Sequence, residues 1–485
     1  MSSPPVAREA RPRHLGWALA LLAFAQLIIA LDYTIVFVAL PDIGSDLGFS
    51  GHTLQWVVSG YAVAFGGFLL LGGRAADLLG RRRMFVLALL LYAGSSLLGG
   101  LATTSELLVG ARVVQGIGGA LLFPATLSLV NTMFAEGRER NRALAVWGGA
   151  GATGLSLGSL AGGVLTESFG WAAVFYVNVP LAAGAALLAF TLLTRDAPRE
   201  RGRSFDLPGA LTATAGVTLL VTVLVQGPES GWTSTPVVLA ALLAVVLLAG
   251  FVAIEARGRD PLMPLRLFGN ASLRASMAVT FVFMGTLGAL PYFLTLYFQT
   301  VHGYSALQTG FAFLGPSLAI AIGTQLGERL AAVAGVRRTL AGGLALGAVG
   351  TAVLAFGMTV DGTYLTLLPG IVLMGVGQGI AWTNMWIAAS NGVAQEEQGI
   401  ASGMASTTQQ VGAAVGLAVL IAISSSGLDG LTGQPLQQAT ADGLQTAVYV
   451  AAGGILLGLA AALNLRRAPA AGLAGATPAV ASARG

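Results

Sequence analysis

The sequence predicts an all-α membrane protein of fourteen spanning helices with both termini in the cytoplasm. Three observations predict it. Only 9% of the residues are charged and 55% are hydrophobic, whereas a soluble domain carries about 25% charged residues. The apolar residues fall in blocks of the roughly 20 residues needed to cross a hydrocarbon core of about 30 Å. The arginines are confined to alternate loops, as the excess of positive charge on the cytoplasmic side of membrane proteins requires.

The blocks lie at about residues 15–40, 54–72, 84–102, 107–131, 143–166, 171–193, 207–227, 235–255, 273–298, 306–326, 339–357, 363–386, 400–424 and 444–465. With the N-terminus inside, the inside segments hold every arginine but Arg112. They run from Arg8, Arg11 and Arg13, through Arg74, Arg81, Arg82 and Arg83, to Arg466, Arg467 and Arg484. The outside loops carry acids instead, among them Asp42, Asp46, Glu106, Glu167, Glu229, Asp361 and Asp442. One helix more or fewer would invert every later loop and destroy this partition. The first block follows a polar, arginine-bearing start, as a signal peptide would. It is too long for a signal-peptide apolar region and has no obvious small-residue cleavage site.

Two charged loops, Arg195 to Asp206 and Glu255 to Arg274, isolate a pair of helices almost without charge. The expected organisation is a cytoplasmic tail (1–14), a six-helix bundle (15–195), an inserted helix pair (204–256), a second six-helix bundle (270–466) and an Ala/Gly/Pro-rich tail (467–485) expected to be disordered. Weak internal repetition supports two related halves. Gly73 to Arg82 follows the second span, and Gly327-Glu328-Arg329 with Gly335 to Arg338 follows the tenth. Gln115 to Ala120 in span four has a loose counterpart in Gly375 to Gly379 in span twelve. Two related halves suggest a transporter with its site at their interface.

Cysteine and lysine are both absent. That excludes disulfides, thiolate metal sites and cysteine nucleophiles. It also excludes the Walker A loop, which needs a lysine on the phosphates, and Schiff-base chemistry. No enzyme activity, metal or cofactor is expected. The formal charge of +4 follows from the positive-inside bias and implies no nucleic-acid partner.

Asp32 is the acid placed deep in a span. A charged side chain at the bilayer centre costs at least about 2.5–3.5 kcal/mol, and desolvation favours its protonated form. Such a carboxyl can couple proton movement to conformation; the plainer alternative is a permanently paired acid. Arg112 is the base within a span, on its outer half, so it needs an internal partner. Gln115 shares its helix face, and a cluster of Arg112, Gln115 and Asp32 would satisfy both charges. Span five carries Gly151, Gly154, Gly158 and Gly162 on one face, which lets another backbone approach. In-span polar and aromatic residues that could line a cavity for an amphipathic ligand are Gln26, Trp56, Tyr61, Phe123, Tyr292, Tyr297, Gln299, Gln378, Trp382, Asn384 and Gln409. For any single one of them, ordinary packing is the commoner role.

These residues resemble the major facilitator superfamily, and within it the fourteen-span drug:proton antiporter branch (EmrB/QacA type). Leu31 to Pro41 resembles its first-helix motif, with Phe37 where Asn is usual. Gly73 to Arg83 resembles the loop motif between helices two and three, and Arg112 to Ala120 the fourth-helix motif. Gly154 to Gly163 resembles the fifth-helix antiporter motif, with Ser159 where Pro is usual. Gly170-Trp171 through Asn178-Val179-Pro180 resembles the family's next segment, at the start of the sixth helix. The start of the inserted pair is carried by Phe205 to Gly209.

The resemblance implies the major facilitator fold. It implies efflux of amphipathic organic compounds such as antibiotics or dyes, driven by the proton gradient and not by a cofactor. It assigns Asp32, Arg112 and Gln115 to proton coupling. Gly73, Asp77, Gly80, Arg81 and Arg82 become a conformational gate that ties the halves together at the cytoplasmic face. Gly154, Gly158, Gly162 and Gly163 become the antiporter packing face. The expected partners are an amphipathic small molecule, protons and membrane lipids, for a monomer in the bacterial cytoplasmic membrane. The absence of extra acids in spans nine to fourteen disfavours dicationic substrates. A dedicated exporter of one metabolite, a small-nutrient importer and a non-transporting sensor remain as alternatives.

Overall fold

The computed structural model describes residues 15–135, 138–194, 196, 206–258, 261, 263, 265–390, 398–428 and 431–465. The two terminal tails therefore lie outside the described residues. Every regular element among those described is helical. The first group comprises α1 (Leu15–Asp46), α2 (Gly51–Leu54), α3 (Trp56–Leu79), α4 (Arg81–Gly100), α5 (Ser105–Met133), α6 (Arg138–Phe169), α7 (Ala173–Tyr176) and α8 (Asn178–Leu192). Next come α9 (Leu207–Ser230) and α10 (Thr235–Arg257). The last group comprises α11 (Ala271–Gly285), α12 (Leu290–Leu296), α13 (Ala306–Ala312), α14 (Leu314–Ala334), α15 (Val336–Gly357), α16 (Tyr364–Ser390), α17 (Gln398–Ser424) and α18 (Gly433–Leu463). Among the described residues, 11 helical stretches are long and apolar enough to cross a membrane, and α3 and α9 add shorter apolar stretches.

The helix starts are written locally. Ser50 with Thr53, and Ser305 with Gln308, form capping boxes. Thr104, Asp206 and Asn270 each accept a backbone N–H from the first turn of α5, α9 and α11. These side chains satisfy donors that the helix cannot satisfy itself. Gly80 and Gly335, both at positive φ (105° and 81°), start α4 and α15 just before their arginines. Only glycine takes that conformation without steric cost.

Glycine contacts set the helix pairing. Gly154, Gly158 and Gly162 of α6 meet the backbone of Leu27, Leu31 and Ile35 of α1 in the same order, so the two helices run parallel. Gly412 and Gly416 of α17 meet Phe281 and Gly285 of α11 in the same way. Likewise Gly116 and Gly72 join α5 to α3, and Gly323 and Gly379 join α14 to α16. The second group thus repeats the pairing scheme of the first.

The helix α9 lies against both α3 and α17, with the Thr214 hydroxyl donating to the Gly67 carbonyl at 2.7 Å. Its partner α10 packs chiefly on α9 and leaves Leu239, Leu242, Val245 and Val246 exposed.

Three expected spans differ from the continuous helices read in the sequence. The ninth is broken at residues 286–289, between α11 and α12, and continues as a π-turn from Tyr297 to Val301. The tenth is interrupted at Phe313, three residues before Pro316. The sixth begins as the short α7 and restarts at Asn178, two residues before Pro180. Proline removes an N–H and crowds the preceding turn, which hydropathy does not register. Several helices also extend past their apolar blocks, α1 to Asp46 and α6 from Arg138 to Phe169.

At Gly158 any Cβ would collide with the Thr34 hydroxyl and the Leu31 carbonyl, while at Gly148 on the same helix it would meet open space. Overpacking a tight contact costs about 1–3 kcal/mol. Gly158→Val is therefore expected to lower the unfolding midpoint in detergent clearly, and Gly148→Val to leave it nearly unchanged. Equal midpoints for the two variants would refute the packing role of that face.

Candidate functional site

The α1–α6 glycine contacts hold α1 so that Asp32 points into the first group of helices. Asp32 is fully buried and Arg112 of α5 is 2% exposed. Arg112 Nη1 donates to Asp32 Oδ2 at 2.8 Å and to Gln115 Oε1 at 2.6 Å. Gln115 Nε2 donates to Asp32 Oδ1 at 2.8 Å and to the Ser96 hydroxyl at 2.9 Å. Asn178 Nδ2 also donates to Asp32 Oδ1, at 2.9 Å. Arg112 Nε donates to the Val57 carbonyl at 2.9 Å, and its guanidinium lies 4.4 Å from the centre of the Tyr61 ring. The geometry thus joins Asp32, Arg112 and Gln115 and adds Ser96, Asn178 and Tyr61.

Each partner satisfies an electrostatic demand. A buried carboxylate is tolerated only with a partner charge and hydrogen bonds on its lone pairs. Asp32 has both. One acceptor beside it stays unused: Asn178 Oδ1 is buried without a hydrogen-bond partner. A carboxylate takes donors only, whereas a protonated carboxyl also gives one. The amide of Asn178 can serve the first with its NH₂ and the second with its oxygen.

The loop between α3 and α4 engages its own group of helices. Asp196 accepts the backbone N–H of Arg82 at 2.9 Å and of Arg83 at 3.1 Å. The Arg82 guanidinium donates to the Phe190 carbonyl at 2.7 Å and lies over the Phe190 ring. A Cβ at Gly80 would strike the Asp196 carboxylate, while Gly73 faces Pro124 at ordinary distance. Arg81 is half-buried at the start of α4. The Asp77 side chain lies outside what is described.

Gly163 does not share the α1 face with Gly154, Gly158 and Gly162. It meets the backbone of Ala306, Leu307 and Gly310, at the start of the second group's α13. The resemblance grouped it with the others, but the residue after Gly162 points about 100° further round the helix. Ser159 is buried, and its carbonyl approaches Gly310.

The remaining sequence candidates are dispersed. Tyr61 belongs to the Asp32 cluster. Gln299 Nε2 bridges the groups by donating to the Val38 carbonyl at 2.9 Å. Tyr297 donates to the Thr359 carbonyl, and Asn384 to those of Gly327 and Ile380, within the second group. Phe123 packs between Phe65 and Trp147, Tyr292 against Phe293, and Trp382 between Phe283 and Trp386. Gln26 lies against Gly151 with its Oε1 buried and unpartnered. Trp56 packs beside Val63, Ala414 and Ala418. Gln378 is half-buried on α16, and Gln409 is buried on α17.

A small cavity separates the two groups. Tyr33 and Phe37 of α1, Val58, Ser59 and Ala62 of α3, Gly288 and Ala289 at the α11–α12 break, and Ala413, Ala414 and Leu417 of α17 line it. None of these is among the cavity residues expected from the sequence. They carry no charge and little polarity, so only the glycines and Pro291 around the break could have signalled the place.

The sequence profile described as Major Facilitator Superfamily matches residues 22–417. The chain is 40% identical over 412 residues to the puromycin resistance protein pur8 of Streptomyces alboniger, covering 84% of this chain and 82% of the relative. It is 39% identical to the cephamycin export protein CmcT of Amycolatopsis lactamdurans, over 85% of this chain and 86% of the relative. It is 35% identical to the lincomycin resistance protein of Streptomyces lincolnensis, covering 86% of both. The fold is similar to that of a bacterial homologue of the lysosomal transporter Spinster, with a TM-score of 0.67 at 16% identity, over 95% of this chain and 100% of that structure.

Removing one member of a buried ion pair costs about 3–5 kcal/mol, because the other charge is left uncompensated. Arg112→Gln is therefore expected to destabilise the protein by about that much in thermal or denaturant unfolding, and adding Asp32→Asn should recover part of the loss. Purely additive costs in the double mutant would show that the pair is not coupled.

Proposed function

The chain belongs to the Major Facilitator Superfamily, a family of transporters and not enzymes, and from that premise we propose that it is a proton-coupled exporter of amphipathic organic compounds. The observation that carries the reading is the buried Asp32–Arg112 pair at 2.8 Å, set among helices that face the boundary between the two groups. The names of the relatives, with their resistance to or export of puromycin, cephamycin and lincomycin, support an antibiotic or similar compound as cargo. A second reading, a dedicated exporter of one such compound, draws on the same names, since each mentions a single antibiotic.

The proposed mechanism follows from the site. Ionised Asp32 neutralises Arg112 and holds α1, α5 and α8 through Arg112, Gln115 and Asn178. A proton on Asp32 removes the ion pair, frees the guanidinium charge and offers a donor to Asn178 Oδ1. The same cluster is then held by different bonds, and α1 is released from its electrostatic tie to α5. Two states of similar energy but different helix ties are what alternating access requires. One charge crossing 100 mV contributes about 2.3 kcal/mol, enough to bias such a pair of states. On this reading the chain has fourteen spans with cytoplasmic termini, as two six-helix halves and an inserted pair, in the bacterial cytoplasmic membrane.

Inverted vesicles bearing a pH gradient test the proposal. Wild type is expected to dissipate the gradient when an amphipathic antibiotic or dye is added, and Asp32→Asn to abolish that response. Normal drug-driven proton movement in the mutant would remove Asp32 from the mechanism. Silence of the wild type across a broad panel would remove the export reading.

A further inference from the structure

The α11–α12 break and the cavity beside it have no part in the proton site. The break has an identifiable cause. Pro291 has no N–H, so the Leu287 carbonyl four residues earlier loses its helical donor. A Cβ at Gly288 would meet the Met284 carbonyl and sulfur, so only glycine fits the turn. Just before the break, α11 is clamped to α17 through Gly285, Gly412 and Gly416.

The polar character of the break is one-sided. The N–H of Gly288 donates to the Phe283 carbonyl at 3.0 Å, that of Ala289 to the Thr286 carbonyl at 3.0 Å, and that of Tyr292 to the Ala289 carbonyl at 3.1 Å. The N–H groups of the two lining residues are thus engaged, and of their backbone polar groups only carbonyl oxygen keeps a lone pair to offer. The carbonyl end of the 15-residue α11 also lies at the break, and a helix carries partial negative charge there.

Across the cavity stands Ser59 of α3. It is fully buried, its hydroxyl has no hydrogen-bond partner, and it lines the cavity. An unsatisfied buried hydroxyl costs about 1–3 kcal/mol, so it calls for a hydrogen-bond partner. The aromatic rings of Tyr33 and Phe37 form the α1 wall. The space open to the centre of a water-sized group is about 10 Å³, room for about one such group.

We infer that this cavity is a subsite for the protonated primary amine of the exported compound. The inference rests on the export reading and names the chemistry of one end of the cargo. A primary ammonium brings three N–H donors in a head about the size of a water. Ser59 Oγ and the carbonyls of the break accept them, and aromatic faces favour a cation nearby. A carboxylate would find a single donor there, the Ser59 hydroxyl, with neither an N–H nor a positive charge beside it among the lining residues, and a trimethylammonium is too large and has no N–H.

Two dansyl probes test it with the full-length protein in detergent: dansyl-ethylenediamine and its N,N,N-trimethyl derivative. Binding is read by dansyl fluorescence, and transport is read separately in inverted vesicles. Wild type is expected to bind the primary amine more tightly. Ser59→Ala should weaken that probe about tenfold and leave the trimethyl probe unchanged. Ala414→Val, which fills the cavity without removing an acceptor, should act the same way. Unchanged unfolding midpoints establish that both variants are folded. Equal weakening of both probes, no weakening, or no binding of the primary amine by wild type would overturn the subsite. Selective binding without proton-driven transport would support the subsite and overturn the export reading instead.

Discussion

The structure is organised around an ion pair that has no water to fall back on. Asp32 and Arg112 are 0% and 2% exposed, in a chain with too little charge to build a soluble surface. Neither could sit there alone, since the cost of an isolated buried charge exceeds what a few contacts return. Their neighbours follow from that demand. Gln115 and Asn178 fill Asp32 Oδ1, Val57 takes the Arg112 Nε–H, and Tyr61 covers the guanidinium. Four helices, α1, α3, α5 and α8, are thereby fixed to one point.

Glycine allows that point to exist. Helices in lipid gain little from the hydrophobic effect and associate by close packing. The α6 glycines bring the α1 backbone close enough to aim Asp32 inward, and Gly116 does the same between α3 and α5. The pairing of α11 with α17 and of α14 with α16 repeats the scheme without repeating the charges. The second group thus has the architecture of the first and, among the described residues, no ion pair of its own at the matching place. On the proposed reading, such an asymmetric pair of halves, one charged at its centre and one neutral, would let protonation of Asp32 bias their relative position.

The legibility of these features in the sequence tracks their rarity. Charges within spans are so few that Asp32 and Arg112 stand out, and Gln115 follows from helix spacing. Ser96 did not stand out, and Asn178 was legible as part of the sixth-helix segment but not as a partner of Asp32, because neutral polar residues are common in membrane helices and many bond to their own backbone, as Ser95 does to Leu91. Glycine spacing exposed the α6 face, but Gly163 belonged to a different neighbour that only the fold could supply. The break in the ninth span was hidden for a related reason. Pro41, Pro124 and Pro369 all lie inside continuous helices, so a proline alone does not mark an interruption. At Pro291 it is the combination with Gly285 and Gly288 that breaks the helix, and the hydropathy of the segment carries no trace of it.

The proposed proton site and the proposed amine subsite share an edge, because Asp32 and Tyr33 are successive residues of α1. The cavity itself is lined by uncharged residues, so the proposed preference of its acceptors for a cation would be modulated by the charges around it. With Asp32 ionised, Arg112 is neutralised and the acceptors of the break dominate. On the proposed reading, protonation of Asp32 would uncover the guanidinium charge and make the same cavity unfavourable for an ammonium head. Proton and cargo would then exclude one another electrostatically without touching the same atom. Exchange of this kind would need no dedicated substrate carboxylate, which is consistent with the absence of acids in the segments expected from the sequence as spans nine to fourteen. Specificity for the rest of the proposed cargo would be left to apolar contact, which discriminates weakly between compounds of similar size.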